Sequence, residues 1–537
     1  MLGCLNTVWP DLDGIDETRS NGDDTGAPFR QTESRERQMP IDPHHEVEHV
    51  AMQLENGNGG FVRNFVASHP GPPPPGHDDR QWVMSYYPLD FLPALHPLGR
   101  NFTVCDRWFA SLPGPTWPNR FFALSGTALG RVDMPGDGTR KIDLPGFFAQ
   151  TQDTIFDRLN DKGIHWKVYF HDIPQSWVMK HQRAPHNAAR YFYIRQFFED
   201  ARGIASDFPE FCLIEPDYMG HEENDDHPPH DIMKAEKLIA DVYNALRSNE
   251  ELWRSTLLVL FYDEHGGFYD HVVPPAAAPP DTHVAKVEYL DGAVREFKFN
   301  QFGVRVPAIL VSPWVKAGVD HTCFDHTSLL KFVTEKWNLT PLSSDRIKNA
   351  RSIGMALTES APRTDVLPRI QLQRDQLKPP NLDKENEANA LLSEHHKALK
   401  HLADFLPSAL WEEAKKDADE SIARGWAMMA RVIDRIRSWC EYRLACLYET
   451  HDHQIVLSSP DRIASERATP RNEVMRFLAT QKPRALEGLA KRIRGEPSIA
   501  QAHAIRTLAA ITGRPFHHFS DRHAKKWLDD QKIPPSS

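Results

Sequence analysis

The stretch that decides the fold is LLVLFYDEHGGFYDHV, residues 257–272. Its apolar first part has the length of a strand, and it ends at Asp263, Glu264 and His265, with two glycines after them. Such runs are typical of buried strands in α/β sheets, where ligands bind beyond the carboxyl ends of the strands. The acids and the imidazole predict a metal site or acid–base chemistry at this strand end. The alternative is a hydrogen-bonded turn.

Strand-like and helical stretches alternate along the first two thirds of the chain. Strands are predicted near 102–105, 164–170, 211–214, 256–262 and 304–311, and helices near 119–126, 233–246 and 328–337. This alternation predicts an α/β fold with a mostly parallel central sheet that is covered by helices on both faces.

The character of the sequence changes near Pro379 and Pro380, after which helical periodicity dominates. We expect a catalytic domain over 1–380, a helical extension over 381–457 and a basic helical tail over 458–537. The tail faintly resembles the end of a HEAT-type repeat. Such a tail either docks a protein partner or covers apolar surface.

Bulk composition limits the class of protein. The 537 residues carry a net charge of -11 and are 40% hydrophobic, which is typical of a globular chain and argues against a general nucleic-acid binder. No apolar run has the length of a transmembrane helix. The six cysteines are scattered, so neither a disulfide framework nor a zinc knuckle is expected. No signal peptide is visible, which favours the cytoplasm; a segment before Met1 could instead carry an export signal to the periplasm or the exterior.

A second chemical segment is Pro113-Gly114-Pro115-Thr116-Trp117-Pro118-Asn119-Arg120. Thr116 lies just before a helical stretch, where a hydroxyl is commonly an N-cap. The same position offers free N–H groups and a helix dipole to a phosphate, and a threonine oxygen beside a metal can attack phosphorus. Both interpretations remain open from the residues alone.

Two further polar segments follow predicted strands or precede helices. Residues 224–231 contain Asp226 and His227 in an acidic loop, which by itself favours a solvated surface. His326 precedes a predicted helix. Either its neighbours Asp325 and Thr327 simply cap that helix, or the imidazole of His326 faces the site.

Taken together, these segments resemble the bacterial phosphoesterase family that includes non-haemolytic phospholipases C and an acid phosphatase of intracellular pathogens. The matching segments run in family order across most of residues 45–340, at 105–109, 113–120, 125–127, 169–172, 215–216, 224–229, 262–272 and 325–329. The resemblance implies an alkaline-phosphatase-like three-layer sandwich and a phospho-enzyme intermediate on a serine or threonine.

The resemblance also implies roles for individual residues. Thr116 would be the nucleophile and, with Asp263 and Glu264, would hold one metal ion, for which calcium, zinc and iron all fit these ligands. His227 and His45 would lie near the phosphate oxygens. We further expect the substrate to be bound by Asn119, Asp226, His265 and His326.

One family segment has no counterpart here. The family begins with a strand that runs into Glu-Asn-Arg-Ser-Phe-Asp, whose first two residues complete the metal and phosphate site, whereas this sequence starts at Met1-Leu2-Gly3-Cys4. We expect either a longer natural protein or a truncated paralogue. In a truncated paralogue, the strands that would flank the missing first strand lose its backbone groups as hydrogen-bond partners.

The leading hypothesis is therefore a metal-dependent hydrolase of phosphate esters, of the phospholipase C or acid phosphatase type. The alternatives are a catalytically impaired paralogue that binds phosphate-containing ligands or partners, and a scaffold whose function lies in residues 381–537. A metal-free α/β hydrolase lacks support because no Gly-x-Ser-x-Gly elbow precedes a helix.

Overall fold

The computed structural model describes residues 1–39, 41–69, 79–135, 144–219 and 223–373, together with 376, 398, 399, 401, 402 and 432. Residues Met1–Pro380 belong to one compact unit. The predicted divisions at 380 and 457 and the all-helical C-terminal region stay predictions, because most of 381–537 lies outside the described residues.

Helices and strands follow one another along the described chain. The α-helices are α1 (Val47–Gln53), α2 (Glu55–Asn58), α3 (Phe61–Ser68), α4 (Leu95–Asn101), α5 (Thr116–Ser125), α6 (Leu144–Phe148), α7 (Ile155–Lys162), α8 (Pro185–Ala188), α9 (Ile194–Arg202), α10 (Ile232–Arg247), α11 (Glu250–Trp253), α12 (His326–Trp337) and α13 (Asp345–Asn349). The strands are β1 (Ser20–Gly22), β2 (Pro28–Arg30), β3 (Thr32–Glu33), β4 (Ser85–Tyr86), β5 (Thr103–Cys105), β6 (Trp108–Phe109), β7 (Trp166–Phe170), β8 (Tyr191–Tyr193), β9 (Phe211–Glu215), β10 (Leu258–Phe261), β11 (Ala285–Glu288), β12 (Val294–Phe297), β13 (Ala308–Val311), β14 (Gly318–Asp320) and β15 (Phe324–Asp325).

Two sheets carry the site. One has the strand order β10-β13-β5-β14 and the other the order β8-β7-β9. Three of the five pairings within them are parallel, and β13 is antiparallel to both of its neighbours. The predicted α/β class with a mostly parallel sheet is therefore confirmed. Among the described helices, none has both the length and the apolar character that crossing a bilayer requires.

The predicted burial of β10 is wrong. All four residues of β10 are half-buried, whereas its partner β13 is buried throughout. The reason is that β10 ends the four-stranded sheet, and β9, also mostly half-buried, ends the three-stranded one. An edge strand keeps one row of backbone groups unpaired and leaves part of its side chains accessible.

The carboxyl ends of these two edge strands converge. The Arg120 guanidinium lies 3.8 Å from Glu215 Oε2 at the end of β9, and its Nε lies 2.7 Å from Asp263 Oδ2 just after β10. Both sheets thus deliver a carboxylate to the same side chain of α5. This is the geometry predicted for polar residues at strand ends in α/β folds.

Helix α5 begins three residues earlier than predicted, at Thr116. Pro118 then lies within the first turn, where the missing N–H has no intrahelical partner to lose. The helix ends at Gly126, whose φ of 79° is the left-handed conformation common after a last turn. Its packing against α12 joins the two helices that flank the strand-end acids.

Candidate active site

The loop after β10 is folded tightly against the segment that contains His45. It turns at Gly266 and Gly267, whose φ values are 63° and 74°. A side chain at Gly267 would place its Cβ 2.6 Å from Pro43 Cβ and 2.8 Å from the carbonyl oxygen of His44. Only glycine allows this close approach at positive φ. The two acids that precede the turn are thereby held beside residues 43–46.

Asp263 is fixed at both its carboxylate and its carbonyl. Arg120 Nε donates to Asp263 Oδ2 over 2.7 Å, and the N–H of Glu264 donates to Oδ1 over 3.0 Å. His326 Nε2 lies 2.8 Å from the Asp263 carbonyl oxygen, and its Nδ1 accepts from Trp108 Nε1 over 3.2 Å. Because Nδ1 is an acceptor, the proton of His326 is on Nε2. Burial lowers the pKa of His326, which keeps the imidazole neutral in this role.

Arg120 joins three groups around the strand ends. Besides Asp263, its Nη1 donates to the Tyr218 hydroxyl over 2.9 Å and lies 3.8 Å from Glu215 Oε2. Burial raises the pKa of the Glu215 carboxyl, and the guanidinium opposes that rise. Although burial lowers the pKa of Arg120, these anionic neighbours raise it overall, so the side chain is a permanent cation.

Thr116 is the first residue of α5 and is buried. The preceding Pro115 provides no side-chain cap. In the first turn, the N–H of Trp117 donates to Met134 Sδ over 3.3 Å, Pro118 has no N–H, and the N–H of Asn119 donates to the Pro115 carbonyl over 3.4 Å. Among these described residues, the N–H of Thr116 is therefore the one left for a ligand. Thr116 and Arg120 are four residues apart and share one face of the helix. Since Arg120 is bonded to Asp263, the threonine lies one helical turn from the contact with the strand-end acid.

Asn119 is fully buried and holds the loop in front of Thr116. Its Oδ1 accepts from the N–H of Leu112 over 3.1 Å, and its Nδ2 donates to the carbonyls of Gly114 and Pro115 over 2.8 and 3.2 Å. In the structure the amide therefore positions the loop, whereas direct substrate binding by Asn119 stays a prediction.

His45 and Glu264 form a buried pair of opposite charges. Burial lowers the pKa of His45, but Glu264, Asp42 and Glu46 together raise it to about 10. Burial raises the pKa of Glu264, but His45 and then His265 bring it down to about 2. At neutral pH the imidazole is therefore protonated and the carboxylate ionised.

His227 lies beside His45, while the predicted position of both residues near the phosphate oxygens stays a prediction. The two rings meet edge to face at a centroid distance of 5.6 Å. Asp42 connects them, with Oδ1 at 3.9 Å from His45 Nδ1 and Oδ2 at 3.6 Å from His227 Nε2. One ligand atom from each of the three residues lies within 4.8 Å of the others.

Asp226 and His265 make protein contacts. The carboxylate of Asp226 accepts from the Tyr262 hydroxyl, and burial raises the pKa of Asp226 to about 7. His265 Nε2 lies 2.8 Å from Gln53 Oε1, and its Nδ1 lies 3.5 Å from Glu264 Oε2. His265 and His326 thus contact the acidic pair, whereas Asp226 contacts Tyr262. The roles of all three residues in substrate binding stay predictions.

The predicted metal ligands fit a hard cation by their chemistry. Asp263 and Glu264 supply carboxylate oxygens at one strand end, and Thr116 adds a hydroxyl oxygen one helical turn from Arg120. Within the described ranges, however, neither acid belongs to a group of three or more His, Cys, Asp or Glu ligands within 4.8 Å of one another. One oxygen of Asp263 is instead engaged by Arg120.

Sequence reasoning missed Arg120, Asp42 and Tyr218 as members of the site. Arg120 has a sequence signal, since it follows Thr116 by one helical turn, and a buried guanidinium needs an acidic partner. Asp42 precedes His45 by three residues, but a loop carries no periodicity that would reveal the contact. Tyr218 has no comparable signal, because its contact with Arg120 spans 98 positions.

Comparison with known proteins identifies the family. The sequence profile of the Phosphoesterase family matches residues 3–340. Non-specific phospholipase C3 of Arabidopsis thaliana is 30% identical over 70% of this chain and 74% of its own length. Non-specific phospholipase C5 of the same plant is 34% identical over 53% of this chain and 54% of its own. Phospholipase C A of Mycobacterium tuberculosis is 31% identical over 56% and 59%.

Among solved structures, a protein in the alkaline phosphatase superfamily from Vibrio parahaemolyticus aligns with a TM-score of 0.27, at 11% identity over 47% of this chain and 61% of that one. The chain thus spans between about half and three quarters of the curated relatives it matches. Because the family profile covers residues 3–340, the chain belongs to the phosphoesterase family.

Proposed function

We propose that this chain is a metal-dependent hydrolase of phosphate esters that works through a phosphothreonine at Thr116. Family membership supports hydrolysis of phosphoric esters as the general reaction. The observation that carries the finer proposal is the position of Thr116 at the uncapped start of α5, one turn before the arginine that binds Asp263.

The start of α5 suits a phosphoryl group. The N–H of Thr116 has no intrahelical partner, and the helix dipole favours negative charge at this end. A phosphate bound there brings its phosphorus atom next to the Thr116 hydroxyl. Because Asn119 holds the loop 112–115 that leads into the helix, this end of α5 is positioned before substrate arrives.

A metal ion would be held by Asp263, Glu264 and the Thr116 oxygen. When bound, it would supply Lewis-acid stabilisation of the threonine oxygen and of a phosphate oxygen. The ionised state of Glu264, whose pKa lies at about 2, leaves its carboxylate available for this role.

The chain's own groups account for the remaining steps. The Thr116 oxygen attacks phosphorus, its hydroxyl proton is lost to solvent, and the bond from phosphorus to the leaving alcohol breaks. His45, protonated at neutral pH because its pKa is about 10, gives a proton to the leaving oxygen, and His227 stands beside it. The oxygen of a water molecule then attacks phosphorus, one proton of this water passes to His45, and the bond from phosphorus to the Thr116 oxygen breaks. A solvent proton, equal to the one lost in the first step, restores the Thr116 hydroxyl.

The names of the relatives suggest the substrate class. Three of them are described as phospholipases C, so we propose a phosphodiester between a diacylglycerol and a head group as the substrate. Phosphomonoesters are the simpler alternative, which the same in-line attack would serve.

Replacement of the nucleophile tests the proposal. Thr116→Ala should abolish release of p-nitrophenol from p-nitrophenyl phosphate and of phosphorylcholine from phosphatidylcholine vesicles, both measured with added Ca²⁺, Zn²⁺ or Fe³⁺. Thr340→Ala changes an exposed threonine outside the site and serves as the matched control. Unchanged turnover by Thr116→Ala would exclude the phosphothreonine mechanism.

A second candidate function is supported by the ion pair between Arg120 and Asp263. An arginine that occupies the acid competes with a metal ion, which is expected of a paralogue that binds phosphate without turning it over. In that case the chain would bind inorganic phosphate or vanadate at the start of α5 with no hydrolysis under any metal tested. Calorimetric titration with vanadate beside the turnover assay separates the two functions.

A further inference from the structure

A second cluster of metal-ligating side chains lies next to the active site and takes no part in the proposed reaction. We call it the histidine cluster; it consists of His44, Glu46 and His49, with His69 beside them. His44 Nδ1 lies 3.0 Å from Glu46 Oε2, and the rings of His44 and His49 stack at a centroid distance of 4.1 Å. His69 approaches His44 at 5.5 Å.

We propose that the histidine cluster is a binding site for a borderline divalent cation such as Zn²⁺, separate from the site at Asp263 and Glu264. One ligand atom each from His44, Glu46 and His49 lies within 4.8 Å of the others. Ligand atoms around a tetrahedral zinc ion are about 3.4 Å apart, given Zn–N and Zn–O bonds of about 2.1 Å. The three ligand atoms are therefore grouped on the scale of a metal site, and the stacked rings of His44 and His49 would rotate to direct them at one ion.

The donor set distinguishes this site from the acidic pair. Two imidazoles and one carboxylate are ligands that favour zinc and its neighbours in the transition series, whereas carboxylates alone favour calcium or magnesium. About a third of the His44 side chain is exposed, which leaves a path for an ion from solvent. A fourth position remains for water or for His69.

A hydrogen-bond network holds His49 in place. Asn64 Nδ2 donates to His49 Nδ1 over 2.9 Å, and Ser68 Oγ lies 3.4 Å from the same nitrogen. The proton of the neutral ring is therefore on Nε2, and an ion would bind His49 at Nδ1 in place of Asn64. Asn64 is in turn held by Gln53, whose Nε2 donates to Asn64 Oδ1 over 3.0 Å and to the His44 carbonyl over 2.7 Å. The ring of His49 and the backbone of His44 are thus fixed by one network.

Protonation also suits metal binding. Burial and then the neighbouring His44 lower the pKa of His49 to about 4. The imidazole is therefore neutral at physiological pH, which is the form that binds metals.

The position of the cluster gives the ion a structural role. Glu46 Oε2 accepts the N–H of His45 over 3.1 Å, and His44 precedes His45 in the chain. An ion bound to both neighbours would brace the segment that presents His45 to Glu264. This consequence rests on the proposed function, whereas the binding site itself does not.

The test is a zinc titration of the full chain without an affinity tag, by competition with a chromophoric chelator. We expect His44→Gln and Glu46→Gln to lose one zinc equivalent, with affinity lowered at least 10-fold, because loss of an outer-shell partner alone costs about 10- to 100-fold. His283→Gln removes an exposed histidine that also pairs with a carboxylate, Asp281, and should bind zinc as the unmodified chain does.

The same titration in a variant of the acidic site separates the two metal sites. Asp263→Asn should still bind the zinc equivalent of the histidine cluster, whereas the double variant Asp263→Asn with His44→Gln should lose it. Cobalt provides an independent readout, since visible d–d absorption from imidazole-bound Co²⁺ should disappear in Glu46→Gln as well as in His44→Gln. Equal zinc affinity, stoichiometry and cobalt spectra in the unmodified chain and both cluster variants would overturn the proposal, whatever the hydrolysis assay shows.

Discussion

Replacement of Arg120 by methionine should weaken both the fold and the site, because this side chain holds the ends of two edge strands together. The Arg120–Asp263 contact is 2.7 Å long, with side chains that are 27% and 23% exposed. Fully buried ion pairs cost about 3–5 kcal/mol when one partner is removed, and exposed pairs contribute about 0–1 kcal/mol. We therefore expect Arg120→Met to lower the free energy of unfolding by about 2 kcal/mol through Asp263 alone.

Glu215 makes the loss depend on pH. Burial raises the pKa of this carboxyl and Arg120 opposes the rise, so removal of Arg120 raises the folded-state pKa further. The unfolded chain releases this proton near pH 4.5 while the folded variant retains it, so the stability of the variant falls as the pH rises above that value. The difference from the unmodified chain should be larger at pH 7.5 than at pH 5.

Urea unfolding of Arg120→Met, Asp263→Asn and the double variant measures these effects. The cycle should give a coupling free energy of about 1–2 kcal/mol between the two side chains. Arg158→Met is the matched control, since both partners of Arg158 are largely exposed and its loss should cost less than about 1 kcal/mol. A coupling near zero, with no dependence on pH, would refute the proposed role of Arg120.

Three further substitutions test other parts of the site. Asp226→Asn should be more stable than the unmodified chain at pH 8 but not at pH 4. Burial raises the pKa of Asp226 to about 7, so ionisation of this carboxyl opposes folding above its ordinary pKa of 3.8. The resulting loss of unfolding free energy in the unmodified chain is up to about 4 kcal/mol. Equal slopes of stability against pH for the two proteins would contradict this. Asn119→Ala should lower the free energy of unfolding by about 2–4 kcal/mol, since it leaves buried groups of loop 112–115 unpaired. A loss below about 1 kcal/mol in urea unfolding would show that the loop keeps its conformation without the Asn119 amide. Gly267→Ala should cost about 1–3 kcal/mol, because φ is 74° and the new Cβ would meet Pro43; a thermal melt unchanged from that of the unmodified chain would contradict the close packing of this loop.

Local signals made the strand-end chemistry predictable. The apolar run before Asp263 and the two glycines after it predicted a strand followed by a sharp turn, and both are present. The bounds of α5 were less predictable, because Pro118 discourages a helix in its interior but is tolerated in the first turn. The sequence pattern around Thr116 therefore placed the residue beside the helix, whereas it begins the helix.

Contacts between distant segments were not predictable from periodicity. Arg120 and Asp263 are 143 positions apart. In the described sheet β10 pairs with β13 and is half-buried, and this position depends on the order of strands that are distant in sequence. His45 and His227 were identified as site residues through the family resemblance, but their contact with each other was not predicted. Asp42, which lies between them, was not reached by either route.

The central claim, a phosphothreonine at Thr116, is tested most directly by trapping the intermediate. The full chain would be mixed with p-nitrophenyl phosphate and the chosen metal ion, quenched in acid within one turnover, digested and analysed by tandem mass spectrometry. We expect one added phosphoryl group on Thr116, absent from Thr116→Ala and present in Thr340→Ala. Turnover of the ester with an unmodified Thr116 peptide, or with the phosphoryl group on another residue, would contradict it.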